Sequence, residues 1–531
     1  MFDRSQSRII IILGLLGVFG CVFSLSFLSG FSALDFKFPL EKDKVLNIAD
    51  EFLNFQGILS PALVKKAKVL SSQQGIIYLQ KTLGIETTNK LLESLPLYYW
   101  QIDYFYRGDR KIILPLGKLK HPNRIRILIH PINGNIIGFS RLIPLDEYKH
   151  QRILLKNESE AIANNFFSSI DFDISDFRMM RYSPIERKYI FEWEKNNPEF
   201  KITKLKVKLE IFGDRVGNFH YFLDIPAKEF EKFKSNNIFG LALFIILNAL
   251  VFALGMFALI ISIVKRKKLE WRFGIVFALL MLISFLINFL KVGYYKGSYL
   301  VLFLFVSILT CVINFFWTII VSCVSKLFAK ESNLNMFPVK ISSSILLSYI
   351  FFFSGLGFTM FFFIFVIKIL KPITILGFDS FFSEFPSSKL SCLIAPFLSL
   401  SAAVFEEIFF RALMISFLNK YLKNTVWAII ISSLIWSFIH VSPIGYSDIY
   451  PGFIKGIILL PIGILLGYIF VRFGLICAIV THYFHDLVVI GAAFLEFNNF
   501  RNVNENVITM LIAAILPLVI AFYFKLKESN A

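Results

Sequence analysis

The stretch Ala402-Ala403-Val404-Phe405-Glu406-Glu407-Ile408-Phe409-Phe410-Arg411 sets two carboxylates and a guanidinium inside a run of apolar side chains. Leucine, isoleucine and phenylalanine continue on both sides, long enough for a bilayer-spanning helix of roughly 20 residues. An ionisable side chain at bilayer depth costs roughly 2.5–3.5 kcal/mol on insertion scales. A membrane helix that keeps three such groups together uses them.

The surrounding chain supports the membrane reading. It has 531 residues, 56% of them hydrophobic, with 63 phenylalanines, more apolar surface than a soluble domain needs. The expected fold class is a polytopic α-helical membrane protein of about ten spans with an inserted extracytoplasmic α+β domain. An N-terminal anchor over 1–33 has an apolar core near Ile9–Leu28, longer than a signal peptide's core of roughly 7–15 residues. Further spans are expected near 238–264, 272–292, 299–325, 341–369, 389–418, 425–441, 453–472, 475–495 and 506–524.

The net charge of +18 raises the question of nucleic acid, but the basic residues collect between the apolar runs, where they set topology. No nucleic-acid partner is expected; the lipid bilayer is. Arg4 and Arg8 place the N-terminus in the cytoplasm, and Lys265-Arg266-Lys267-Lys268 marks the cytoplasmic return. Residues 34–235 then lie outside, and the location implied is the cell membrane. The five cysteines fall in or beside apolar runs and none between Leu34 and Phe233, so the outer region has no disulfide framework.

That outer region carries a weak duplication, over 40–147 and 155–228. Ile48-Ala49 with Phe52-Leu53 recurs as Ile162-Ala163 with Phe166-Phe167, each on a helix-period stretch. Aromatic strand-like runs follow, Tyr98–Ile102 and Tyr189–Trp193, and then a hairpin signal in each copy. The first turns at Asn133-Gly134 and the second at Gly213-Asp214. Both copies close on a proline, Pro144 and Pro226. A helix followed by a small antiparallel sheet, twice over, resembles the PepSY-type domains. Residues 236–370 are expected to be membrane helices, 388–495 the core that carries chemistry, and 496–531 a loop and last span.

Within that core, Glu407 and Arg411 are four residues apart and share a helix face, so they can pair. Glu406 then points elsewhere. A buried ion-pair network that merely fixes packing would need one glutamate, and two are present. His440 ends the run Ser432–His440; taken alone, a histidine there is an interfacial residue. His482 and Asp486 share a face, with His485 beside them. Three such clusters within about 80 residues, in a chain with seven histidines, exceed what packing asks for. Imidazoles and a carboxylate can bind zinc, or a glutamate and a histidine can activate water with a His/Asp pair at an oxyanion. No HExxH, GxSxG or Walker A sequence is present.

Glu406-Glu407-x-x-x-Arg411, Trp436-x-x-x-His440 and His482-x-x-x-Asp486 resemble the three motifs of the CAAX-processing and bacteriocin-processing (CPBP) intramembrane proteases, which include the type II CAAX prenyl endopeptidase. Trp436 stands where the family usually has phenylalanine. The resemblance implies an endopeptidase in which Glu406 activates water with His440 as partner or metal ligand. His482 would be a second ligand or, with Asp486, an oxyanion site, while Glu407, Arg411 and His485 support. It leaves the cofactor open between zinc on Glu406, His440 and His482 and a metal-free route. The implied partner is a membrane-associated peptide or protein substrate.

Two other readings compete. One is a non-proteolytic membrane scaffold or immunity factor of the same fold; the other is a proton-coupled transporter, which predicts paired inverted repeats that the sequence does not show. One geometric demand is severe. Counted at about 1.5 Å per residue from the expected inner ends, His440 lies some 22 Å along its span and His482 about 10 Å. The two meet only if the helices are staggered or tilted, with Pro443 and Pro461 as candidate breaks between them.

Overall fold

A computed structural model describes residues 4–28, 40, 42–58, 63–92, 94–106, 112–113, 119–120, 124–196, 203–264, 269–290, 298–370, 373–374, 391–441, 449–497 and 503–529. The chain divides into two compact units, one of Ser32–Ser235 with Ile373–Ser383 and the other of the remaining residues. The basic cluster at 265–268 and Pro443 lie outside the described residues.

The first unit is built on an eight-stranded antiparallel sheet. Its strands are β1 (Leu63–Ser71), β2 (Tyr98–Tyr106), β3 (Ile125–Ile129), β4 (Ile136–Ser140), β5 (Arg178–Ile185), β6 (Lys188–Asn196), β7 (Lys204–Phe212) and β8 (Arg215–Asp224). Their spatial order is β1-β2-β3-β4-β8-β7-β6-β5, two four-stranded meanders joined edge to edge. At the join Phe139 of β4 faces Phe219 of β8. Pairing the two inner edges removes two rows of unsatisfied backbone groups. The tight turns of β3–β4 and β7–β8 use Gly134 and Gly213, both at positive φ (79° and 62°), which glycine adopts without strain.

Two helices precede the meanders, α2 (Lys42–Phe55) and α3 (Lys156–Ser169), after the N-terminal helix α1 (Arg4–Leu28). On α2 the buried residues are Val45, Ala49, Phe52 and Leu53. On α3 they are Ser159, Ala163, Phe166 and Phe167, each 114 positions later. The i, i+4, i+7, i+8 spacing is one face of a helix. Those faces meet over the sheet: Phe52 packs on Phe139 at 5.1 Å and Phe166 on Phe219 at 5.4 Å, and the two helices touch through Phe52 and Phe166 at 6.3 Å. Burying one such ring is worth about 1.5–3 kcal/mol.

His130, 2% exposed, sits just after β3. Its Nε2 donates to the Leu95 carbonyl at 3.3 Å and its Nδ1 accepts the Ile132 N–H at 3.4 Å. That pairing requires the neutral ring, and burial pushes its pKa below the ordinary 6.5. With the folded value depressed, the unfolded chain binds the extra proton first as pH falls below about 6.5. Stability is therefore complete above that pH and falls by up to about 1.4 kcal/mol per pH unit until the folded ring also protonates. Protection factors of the β3–β4 hairpin amides, taken relative to the intrinsic exchange rate at each pH, are expected to fall between pH 7 and pH 5, and less so in His130→Asn. Equal acid sensitivity in both proteins would remove His130 as the cause.

The second unit is a helical bundle. Besides α1 it contains α4 (Ala227–Val264) from Asn236 onward, α5 (Trp271–Leu290), α6 (Ser298–Glu331), α7 (Ile341–Leu370), α8 (Ile394–Glu406), a π-helical segment Glu407–Ile415, α9 (Ser416–Leu422), α10 (Thr425–Ile439), α11 (Phe453–Phe473), α12 (Leu475–Phe497) and α13 (Val503–Ser529). Among the described residues five stretches are long and apolar enough to cross a membrane: Gly240–Val264, Leu304–Glu331, Ile341–Leu370, Phe453–Phe473 and Val507–Ser529. Shorter apolar helices occur at Ile10–Val22, Trp271–Leu282, Thr425–Ile439 and Leu475–Gly491. The protein is a multi-pass helical membrane protein with a β-rich N-terminal region.

Helix α1 is part of this bundle. A Cβ added to Gly17 would lie 2.5 Å from the Ser354 backbone on α7, and one added to Gly357 would lie 2.2 Å from the Gly17 carbonyl oxygen. Ser354 Oγ also donates to the Leu13 carbonyl at 2.9 Å. Small residues let two membrane helices approach this closely, where packing contributes what the hydrophobic effect cannot.

Helices α10 and α12 begin in different surroundings. Asn424 caps α10 by accepting from the Val426 and Trp427 N–H groups, and this first turn is open, with Val426 64% exposed. Helix α12 instead begins inside the protein. Leu475 is fully buried and its N–H donates to the Met336 carbonyl at 2.8 Å. Gly474 (φ 92°) makes the turn beneath that loop, where a Cβ would strike Pro338 and Met336 at 2.6 and 2.7 Å. Pro461 breaks nothing: it lies within the uninterrupted α11. His440 and His482 do meet, each 3.9 Å from the same carboxylate oxygen.

Candidate active site

Each cluster singled out in the sequence is placed by a separate element. Glu406 closes α8, and Glu407 and Arg411 lie on the π-helical segment. π-Helical stretches inside α-helices are rare and occur frequently at functional sites. Trp436 and His440 are four apart at the end of α10, which is pinned to that segment by Ser432 Oγ donating to the Phe410 carbonyl at 2.7 Å. His482, His485 and Asp486 occupy α12.

The structure brings these residues together. His440 Nε2 and His482 Nε2 both lie 3.9 Å from the same oxygen, Glu406 Oε2. The other nitrogen of each ring is occupied. His440 Nδ1 lies 2.7 Å from the Trp436 carbonyl and His482 Nδ1 lies 2.8 Å from Glu407 Oε1. A carbonyl and a carboxylate only accept, so in both rings Nδ1 carries a hydrogen and the ring is oriented with Nε2 toward Glu406. Asp486 Oδ2 is 3.4 Å from His482 Nε2, and Asp486 Oδ1 is 3.4 Å from His485 Nδ1.

Glu407 and Arg411 pair as their spacing implies, Oε1 to Nη1 at 3.0 Å, with exposures of 0% and 1%. Glu407 does more than the pair required: the same Oε1 accepts from His482, so the ion pair sets that histidine's tautomer. Arg411 also donates to the Gly463 carbonyl at 3.4 Å and lies over the Trp436 ring, 4.5 Å from its centre. Glu406, His440 and Asp486 are 17–21% exposed, so the group is open on their side.

Two participants escaped the sequence reading. Trp436 enters the sequence reading only as the aromatic of its motif, where the family usually has phenylalanine, yet its Nε1–H donates to Glu406 Oε2 at 2.5 Å. The residue type was the available signal, since tryptophan is an aromatic that carries a ring donor. Thr359 on α7, whose Oγ1 is 3.3 Å from His485 Nε2, had no signal, being one of many hydroxyls in an apolar helix.

The donor set suits zinc chemically: two imidazole nitrogens, each with a lone pair when its ring is neutral, and one carboxylate. A tetrahedral zinc ion holds its ligand atoms about 3.4 Å apart, closer than the 3.9 Å found from Glu406 to each histidine. Among the described residues no three His, Cys, Asp or Glu side chains are placed to hold a metal ion as they stand.

Comparison with known proteins reaches this same part of the chain. Residues 388–488 match the family model described as type II CAAX prenyl endopeptidase Rce1-like, and all seven candidate residues lie within that match. The sporulation-killing factor biosynthesis protein SkfC of Bacillus subtilis (strain 168) is 33% identical over 100 residues, which is 19% of this chain and 19% of that protein. The chain thus matches about a fifth of the length of this curated relative. No solved structure matches.

Proposed function

We propose that the protein is an intramembrane endopeptidase that hydrolyses a peptide bond of a membrane-associated peptide or protein, with Glu406 activating the water. The observation that carries this reading is the convergence of two imidazole Nε2 atoms on one partly exposed carboxylate oxygen inside an apolar helical unit. A water between Glu406 Oε2 and His440 Nε2 donates a hydrogen bond to each. Glu406 takes its proton as the oxygen attacks the scissile carbonyl carbon. His482, with a hydrogen on each ring nitrogen, donates from Nε2 to the developing oxyanion, and Asp486 holds that hydrogen in place. The tetrahedral intermediate collapses, the C–N bond breaks, and the proton on Glu406 passes to the leaving amine. Were zinc part of this enzyme, Glu406, His440 and His482 would hold it, and its chemistry would be to lower the pKa of bound water to about 7.

The topology belongs to the same proposal: a cytoplasmic N-terminus, residues 34–235 outside the cell membrane, and PepSY-like repeats in that domain. The helix-plus-meander arrangement found twice in one sheet supports the repeats.

The test uses the full-length protein in membranes with a membrane-tethered reporter. The parent is expected to cleave it, and His440→Ala to lose about a hundredfold or more at parental protein level. Cleavage that survives exhaustive chelation would assign the chemistry to Glu406, and loss restored by zinc would assign it to the ion. A parent that does not cleave would favour the scaffold reading.

A further inference from the structure

We infer that Trp436 is a positioning residue for Glu406, its indole N–H holding the carboxylate where the two histidines converge. The inference rests on the proposed role of Glu406 and goes beyond it. Nε1 of Trp436 donates to Glu406 Oε2 at 2.5 Å, the same oxygen that both Nε2 atoms face. Among the described residues this indole is the one hydrogen-bond donor on that carboxylate. A glutamate left to rotate would spread its oxygen over several rotamers, and a displacement of 1 Å at a reacting group is enough to cost about a hundredfold in rate.

The indole itself is held on every side. It is 3% exposed, the Arg411 guanidinium covers its face at 4.5 Å, and the rings of His440 and His482 stand edge-on at 5.0 and 5.7 Å. Its room comes from Gly463 on α11. A Cβ there would lie 2.9 Å from Cε3 and 3.2 Å from Cζ3 of Trp436, with Ser433 Cβ at 3.3 Å leaving no escape. Phenylalanine, usual at this place in the family that the motifs resemble, has no N–H and would not need that room. The tryptophan and the missing side chain opposite it belong together: a larger aromatic ring brings a donor to the base, and Gly463 accommodates it.

Replacing Trp436 with 3-benzothienylalanine keeps the bicyclic ring and exchanges the N–H for sulfur. In reporter cleavage kcat is expected to fall about ten- to a hundredfold, with KM within about twofold and the melting midpoint unchanged. Gly463→Ala, which pushes the indole, is expected to lower kcat in the parent and to have little effect in Trp436→Phe, a coupling a double-mutant cycle reads directly. Parental kcat in the isostere, or additive effects of the pair, would overturn the inference. A further readout is independent of turnover. In protein labelled with 15N-tryptophan, the Trp436 indole proton should stand downfield of the other five and move upfield in Glu406→Ala. An unmoved resonance overturns the contact even in a protein that cleaves nothing. Loss of cleavage in Glu406→Gln beside a fully active isostere would end this inference and leave the protease reading intact.

Discussion

Glu406→Gln is expected to abolish reporter cleavage, a loss of about 10²–10⁴-fold or more, while the protein accumulates and melts as the parent does. The substitution keeps the volume and an acceptor oxygen for the Trp436 N–H, and removes only the capacity to take a proton. Because the side chain is 21% exposed and makes no salt bridge to arginine or lysine among the described residues, neutralising it breaks no close ion pair with either. Processing followed by gel, with a melting curve of the purified variant, reads both expectations. Unaltered cleavage would end the protease reading. Lost cleavage together with lost protein would move Glu406 among the residues that hold the bundle together.

Glu407 should behave in the opposite way. Glu407→Ala leaves Arg411, 1% exposed, as a buried cation without its counter-ion, and breaking such a pair by removing one partner costs about 3–5 kcal/mol. Arg411→Ala strands the carboxylate and should cost a similar amount. Replacing both, as Glu407→Leu with Arg411→Met, exchanges a buried pair for apolar side chains of similar size and should recover most of the melting temperature. It should not recover cleavage, because Glu407 Oε1 also fixes the Nδ1 hydrogen of His482. A double variant that is both stable and active would make Glu407 purely structural. Single variants that melt like the parent would show that the pair contributes little.

These two neighbouring glutamates show what could be read from the chain alone. Spacings within one helical turn were legible: Trp436 with His440 and His482 with Asp486 each lie on one face, as the 3.6-residue period requires, and Glu407 still pairs with Arg411 although the wider π turn carries them. The aromatic strands, the turns at Gly134 and Gly213, and the paired helix faces of the first unit were legible for the same reason, since hydrophobic period and turn chemistry are local. That the two meanders would join through β4 and β8 was not, because each half presents two edges and nothing local chooses between them.

The same limit divides the site. Residue types and spacing determined by themselves that the protein lies in a membrane, that it buries carboxylates and histidines there, and which of them share a helix face. Only the tertiary structure decided that the faces of two other helices converge on one oxygen of Glu406. Rotation and axial offset of packed helices place side chains 30 to 75 residues apart, and those depend on distant contacts: Gly474 under Met336, Ser432 on Phe410, Gly463 against Trp436. A period fixes direction around one helix axis. It carries no information about where the next axis lies.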